Sequence, residues 1–314
     1  MLRYKADRRT IAILVCYAGL VAFQWAYAPG GSLGVALIVV TCFNSWLCSV
    51  VAHNVVHCPV FKKRWMNKLF QIWVSCSYGF PISDYIPGHN LSHHRYTQLQ
   101  EDVMRTTKVN FRWNLLNLIF FFPAVTPGIV RGNALYKQVV GPKAKAWKRQ
   151  LILEAIVVWS IKAAAVAIDW KKALLYVVIP HLVANFGIVT INFLQHDGCD
   201  ETHPVNHSRN FMSPWLNFFA VNNGYHGVHH LTPGLHWSLL PQAHAEQISP
   251  TVHPALEQAS LLSYLFKTFV YPARRVCFDG QPLVISEGGI DRDWVQPGDR
   301  DAKEEDLEAA GVIA

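Results

Sequence analysis

Residues 33–57 read LGVALIVVTCFNSWLCSVVAHNVVH. From Leu33 to Ala52 the run carries no charge, and about twenty such residues are enough to cross the hydrocarbon core of a bilayer. It ends on His53-Asn-Val-Val-His57. Positions i and i+4 of a helix share a face, so this span delivers two imidazoles to one side at the point where it leaves the membrane. The rest of the chain is read outward from that junction.

Upstream, a basic start (Arg3, Lys5, Arg8, Arg9) precedes the uncharged run Ile11 to Ala28, and Pro29-Gly30-Gly31 turns the chain into the quoted span. The two runs form a membrane hairpin with both ends inside by the positive-inside rule. A second apolar run at once, without a small-residue cleavage site, argues against a cleaved signal peptide. Leu151 to Ile168 and Ala173 to Gln195 form a second hairpin about Asp169-Trp170-Lys171-Lys172, with Lys143, Lys145, Lys148 and Arg149 on its inner flank. Between the hairpins, Leu115 to Val130 is apolar but contains Pro123 and Pro127 between Arg112 and Arg131. It is expected to lie in the cytosolic interface, and the shorter Leu69 to Phe80 likewise.

The expected fold is therefore an all-α integral membrane protein. Four transmembrane helices, at about 11–28, 33–52, 151–168 and 173–195, form two hairpins, joined by interfacial helices. A cytosolic helical cap comprises 53–110 and 196–285, residues 1–285 make a single membrane domain, and both termini are cytosolic. Composition agrees: of 314 residues 51% are hydrophobic and 16% charged, yet mean hydropathy is only +0.16. A soluble domain would carry more charge, and a chain of spans alone would be more apolar. From Glu287 onward nine acids face three bases. Residues 286–314 thus read as an acidic, flexible tail on a basic body. Seven cysteines without a C-x-x-C pair exclude a zinc knuckle and a disulfide framework. No nucleic-acid motif is present.

Three further histidine clusters follow the first: His89-Asn-Leu-Ser-His93-His94, Asn192-Phe-Leu-Gln-His196 and His226-Gly-Val-His229-His230. A lone i, i+4 pair is more often an ordinary surface or core feature. Two patterns with adjacent histidines are harder to dismiss, since each alone arises by chance in roughly a few per cent of such sequences. The spans, drawn from hydropathy and charge, run directly into His53 and His196, which puts all four clusters on one side. Nine imidazoles exceed what one tetrahedral zinc uses and suit two metal ions. H-E-x-x-H and Glu-x-x-His are absent, which disfavours a zinc protease and a carboxylate-bridged di-iron bundle. Imidazole ligation suits iron that activates oxygen, with zinc and copper still open. A histidine-rich membrane metal-binding or transport protein is the non-enzymatic alternative, although there the histidines should face one another within the spans.

The order HxxxH, HxxxHH, NxxxH, HxxHH, with a hairpin between the second and third boxes, resembles the membrane fatty acid desaturase superfamily, including its hydroxylase and ketolase relatives, over about residues 11–245. The resemblance implies an all-histidine di-iron centre (Fe2+/Fe3+) at the membrane–cytosol boundary, O2 as co-substrate, and a lipid or fatty acyl chain as substrate. It makes His53, His57, His89, His93, His94, His196, His226, His229 and His230 iron ligands, and Asn192 the support of a metal-bound water. With no fused haem motif, it also implies a soluble electron donor of ferredoxin or cytochrome type. Desaturation is the expected reaction, with hydroxylation, ketolation or oxidative decarboxylation as alternatives at the same site.

Among the other histidines, His181 is expected to be packed or hydrogen-bonded within a span, and His203, His207, His244 and His253 to lie in the cap or at the surface. His236 and the acids Asp84, Asp102 and Asp197 are candidates to orient ligand rings. Lys162 is expected to pack between helices and snorkel, and Trp46, Trp73, Tyr78, Phe80, Phe218 and Phe219 are candidates to line a substrate channel.

Overall fold

The computed structural model describes residues 1–285 and 291–296; the rest of the expected acidic tail lies outside the described residues. Helices dominate: α1 Arg8–Tyr27, α2 Gly31–His57, α3 Arg64–Tyr78, α4 Asn114–Val139, α5 Lys145–Ile168 and α6 Trp170–His196. The only paired strands among the described residues are two-residue pieces, with Asn210 beside Glu257 in parallel. All seven cysteines are free thiols.

Among the described residues, five helices are long and apolar enough to cross a membrane, not the four expected: α1 (with a preceding turn from Lys5), α2, α4, α5 and α6. The addition is α4. The apolar stretch ends at Val130, but the helix that carries it runs for 26 residues, through Pro123 and Pro127 and on to Val139. The chain is a multi-pass integral membrane protein. Its described residues divide into two compact units, one of Met1–Ile86 with Val140–Ile188, the other of Pro87–Val139 with 189–285 and 291–296.

The first unit holds α1, α2, α3, α5 and most of α6. α1 ends at Ala28 in the left-handed region (φ 43°). α1 and α2 are joined by more than packing, since Gln24, fully buried, donates its amide to Thr41 Oγ1 at 2.6 Å. Side-chain hydrogen bonds of this kind hold helices together where no hydrophobic driving force separates them from lipid. His181 meets its expectation, with Nε2 2.9 Å from the Tyr17 hydroxyl.

α3 departs from its expected place. Gln150 of α5 donates to the Lys68 carbonyl at 3.0 Å, and Lys162, twelve residues further along α5, donates to the Gly79 carbonyl at 2.6 Å. α3, expected flat in the cytosolic interface, therefore runs beside α5 over some three turns. Its C-terminus would leave carbonyls without partners among apolar helices, a cost of several kcal/mol each. The Lys162 ammonium answers this at the negative end of the α3 dipole. It sits over the Phe80 and Trp159 rings, 4.3 and 4.6 Å from their centroids. Lys162 is thus satisfied inside the protein, next to an apolar groove of about 770 Å³ lined also by His181 and Leu182. Gly79 makes the turn at φ 92°, where a Cβ would collide with the His181 ring. The chain returns along α5, where Glu154 accepts from the Ser83 amide and hydroxyl, both at 2.9 Å, and Trp147 donates to the Ser83 carbonyl at 2.9 Å.

The second unit is built on a small aromatic core of Phe121, Phe193, Phe211 and Phe269, each 1% exposed or less. Arg275 fastens three segments of it. Its guanidinium pairs with Asp197 at 2.6 Å and donates to the carbonyls of Val109 and Thr106 at 2.6 and 3.1 Å. Asp197 is thereby engaged with Arg275 and not with a ligand histidine. Residues 291–296 dock onto this unit: Trp294 is 3% exposed and stacks on Tyr136 (centroids 5.6 Å apart), in space that only glycine at position 132 leaves open. Burying such a ring contributes about 2–3 kcal/mol, more than the surrounding surface ion pairs at roughly 0–1 kcal/mol each. Phe218 and Phe219, candidates for a channel lining, instead point outward, 56% and 45% exposed.

Replacing Lys162 with Met removes the donor to the Gly79 carbonyl while keeping a long apolar stem. We expect a loss of about 1–3 kcal/mol from the buried unpaired acceptor, read as a lowered thermal midpoint in detergent. An unchanged midpoint would mean that the turn after α3 does not depend on this cation.

Candidate metal centre

Three elements of the second unit present histidines to one another. The second box lies on a single wide π turn, Pro87–His93, that runs into His94, the third box on the short helix His226–Leu231, and His196 is the last residue of α6. Local π geometry recurs at functional sites because it re-aims side chains that a regular helix would spread. The end of α6 is fixed by Arg209, whose amide donates to the Gln195 carbonyl at 2.6 Å and whose guanidinium donates to the Leu194 and Asp197 carbonyls at 2.8 and 3.0 Å. The third box is fixed by the fully buried Asn210, which accepts from the Gly227 amide at 2.8 Å.

Two groups result. In the first, His93, His196, His226 and His230 each offer a nitrogen, all within 4.8 Å of one another. The Nε2 atoms of His196, His226 and His230 form a triangle with sides of 2.9, 3.1 and 3.2 Å. In the second, His94 Nε2 lies 3.2 Å from His89 Nε2 and 3.1 Å from His229 Nε2. The groups adjoin through His94 and His230, stacked with centroids 4.3 Å apart. The remaining two predicted ligands, His53 and His57, lie together on the last turn of α2 in the first unit, ring centroids 5.2 Å apart.

The donor chemistry tests whether these rings fit metal. His93 Nδ1 donates to Asp102 at 2.9 Å, and His196 Nδ1 donates to the His207 carbonyl at 3.0 Å. Both acceptors are obligate, so in each neutral ring the proton sits on Nδ1 and Nε2 carries a lone pair turned inward. The His196 Nε2 lone pair meets two further ring nitrogens, His226 Nε2 at 2.9 Å and His230 Nε2 at 3.2 Å. His93 Nε2, fully buried, has no hydrogen-bond partner at all. Two imidazole nitrogens bound to one first-row ion at about 2.1 Å lie about 3.0–3.4 Å apart, close to the separations seen. The residues fit a metal ion in each group.

Electrostatics favours the neutral form of His230. Burial, then the proximity of His94, His226, His196 and His93, pushes His230 well below the ordinary histidine range. Burial would raise the Asp102 carboxyl, but His93 and the amides of Gln98 and Met104 outweigh it and bring it below the usual carboxylate range. Asp102 thus stays ionised as the acceptor for His93.

Asp102 meets its expectation as an orienting acid. Asn192, on the last turns of α6, donates to the Met104 carbonyl at 3.3 Å, beside the loop that carries Asp102. His236 instead hydrogen-bonds Ser238 at 2.8 Å. His207 and His244, expected in the cap or at the surface, are buried: the first backs His196 and faces the His230 ring, and the second pairs with Glu257 at 2.8 Å. Arg209, Asn210 and Arg275 are supports that the sequence did not announce. Each bonds residues between 12 and 169 positions away, and no local pattern marks such partners.

Fold and site together define a multi-pass, all-α membrane protein with paired histidine groups suited to a non-haem di-iron centre. Residues 24–258 match the fatty acid desaturase family. The chain belongs to that family, whose chemistry is di-iron, O2-dependent oxidation of lipid substrates. Comparison with curated proteins gives no match.

Replacing Asp102 with Asn removes the charge that holds the proton of His93 in place. Outer partners of this kind are worth about 10–100-fold in metal affinity, so competition with a chromophoric chelator should show iron held that much more weakly. Equal affinity would mean that Asp102 does not orient a ligand.

Proposed function

We propose that the protein uses O2 and two iron ions to oxidise an unactivated C–H bond of a lipid or fatty acyl chain, introducing a C=C bond. The observation that carries the reading is the convergence of imidazole nitrogens, 2.9–3.2 Å apart, in two adjoining histidine groups. The first group, His93, His196, His226 and His230, would hold one ion. His89, His94 and His229 would hold the other, with His53 and His57 assigned to that set on the strength of their motif. Asn192 is assigned by its motif to the centre, where it would hold a water beside the metal.

Bound iron would supply the reductive activation of dioxygen. The chain's own residues set the conditions. Asp102 and the His207 carbonyl each hold a proton on Nδ1 of His93 and His196, and burial keeps bulk water out. In desaturation two hydrogens leave adjacent methylenes and, with two electrons and two protons, reduce O2 to two waters. The electrons come from an external donor of ferredoxin or cytochrome type, which this reading requires.

The reading also favours four crossings. His93 precedes α4 and His196 ends α6, yet their rings lie 4.9 Å apart. Three full crossings by α4, α5 and α6 would leave them on opposite faces of a layer about 30 Å thick, so one of the three does not cross. α4, with two internal prolines and flanking arginines, is the one that lies in the interface. The histidines and both termini then share the cytosolic side.

The purified chain should bind iron at about two per chain. With a reductant, a C16–C18 acyl substrate and labelled oxygen, it should yield an alkene free of label, and His94→Ala and His230→Ala should abolish the product. Label in the lipid would replace desaturation by oxygen insertion, and a folded protein that takes only zinc would end the oxidase reading.

A further inference from the structure

The second unit carries a cationic face that already holds an acidic peptide, one of its own. Asp291 pairs with Arg105 at 2.9 Å and with Lys108 at 3.0 Å, and Asp293 pairs with Arg131 at 2.9 Å. The Arg292 amide adds a bond to the Gln100 carbonyl at 3.1 Å. Trp294, buried on Tyr136, holds the segment down, whereas the two carboxylates are about half exposed and Arg131 is 70% exposed. The exposed Arg131–Asp293 pair exchanges one carboxylate for another at little cost, whereas Arg105 and Lys108, 9% and 8% exposed with Asp291 against them, are reached only once the segment leaves.

The face lies close in the chain to the first histidine group. Gln100 and Arg105 flank Asp102, whose carboxylate is 2.9 Å from His93 Nδ1. A protein seated on Arg105 and Lys108 thus touches the loop whose buried side holds a candidate ligand ring. That favours an electron carrier over any other acidic partner.

We propose that Arg105, Lys108 and Arg131 form the docking surface for an acidic electron-transfer protein, and that Asp291–Gln296 is an internal competitor for the same surface. This rests on the oxidase reading, which needs an outside source of electrons. Charge complementarity of this sort sets encounter rate and partner choice and weakens as salt is added.

The test is binding of an acidic [2Fe–2S] ferredoxin to the full chain in detergent at low ionic strength. Asp291→Asn combined with Asp293→Asn keeps Trp294 in place and should raise affinity several-fold, and adding Trp294→Ala should raise it further, to about tenfold over the unaltered chain. Arg131→Glu and Lys108→Glu should each lower it by about the same factor. Lys62→Glu with Lys63→Glu, exposed cations of the first unit, should leave it unchanged. The proposal is overturned if ferredoxin does not bind, if the segment variants leave affinity as it was, or if the first-unit control weakens binding as much as Arg131→Glu. Failure of the oxidase reading shows separately, as absence of oxidised lipid when the same preparation is given a chemical reductant and O2.

Discussion

An imidazole holds a metal only if the nitrogen that faces it is unprotonated, and in a buried site that condition is set from behind. The Nδ1–H of His93 must find Asp102 and that of His196 the His207 carbonyl before either Nε2 can offer a lone pair inward. Each acceptor sits in a loop, so loop placement becomes the demanding part of the fold. Asp102 lies in the stretch that Arg275 secures through the Thr106 and Val109 carbonyls. The His207 carbonyl lies next to Arg209, which caps α6. Much of the second unit's buried polar bonding serves to hold these two loops.

The first unit meets a different demand. Within helices that face lipid, a chain reversal exposes backbone groups with no water to bond them. The turn after α3 is possible because α5 contributes a cation at one level and a carboxylate eight residues earlier at another. Lys162 takes the Gly79 carbonyl and Glu154 takes the Ser83 amide. A pair of ionisable residues within an apolar helix would otherwise suggest ion transport. Here each has a backbone partner.

The histidine boxes were legible because a metal site asks for one residue type at fixed helical spacing, and because hydropathy puts His53 and His196 at span ends. The spans of α1, α2, α5 and α6 were legible for the same reason: a bilayer imposes a length and a polarity that a window of sequence can satisfy or fail. The course of α3 and the full length of α4 were not. A short apolar run reads alike whether it lies flat or climbs beside a neighbour, and the polar residues after Val130 give no apolar signal that the helix continues to Val139. Nothing adjacent in sequence showed that His207 and His244, two of the four histidines expected in the cap or at the surface, would be buried.

The chain by itself therefore determined the helical membrane architecture and the imidazole character of the site, since both follow from short-range periodicity and composition. Only the tertiary structure decided how the second-unit histidines divide into two groups and which acceptors fix their tautomers. It also decided that Arg275 and Arg209 carry the loops and that an acidic segment beyond residue 290 lies on a basic face. Each of these is a contact between residues far apart in sequence, and such contacts exist only once the chain has closed on itself.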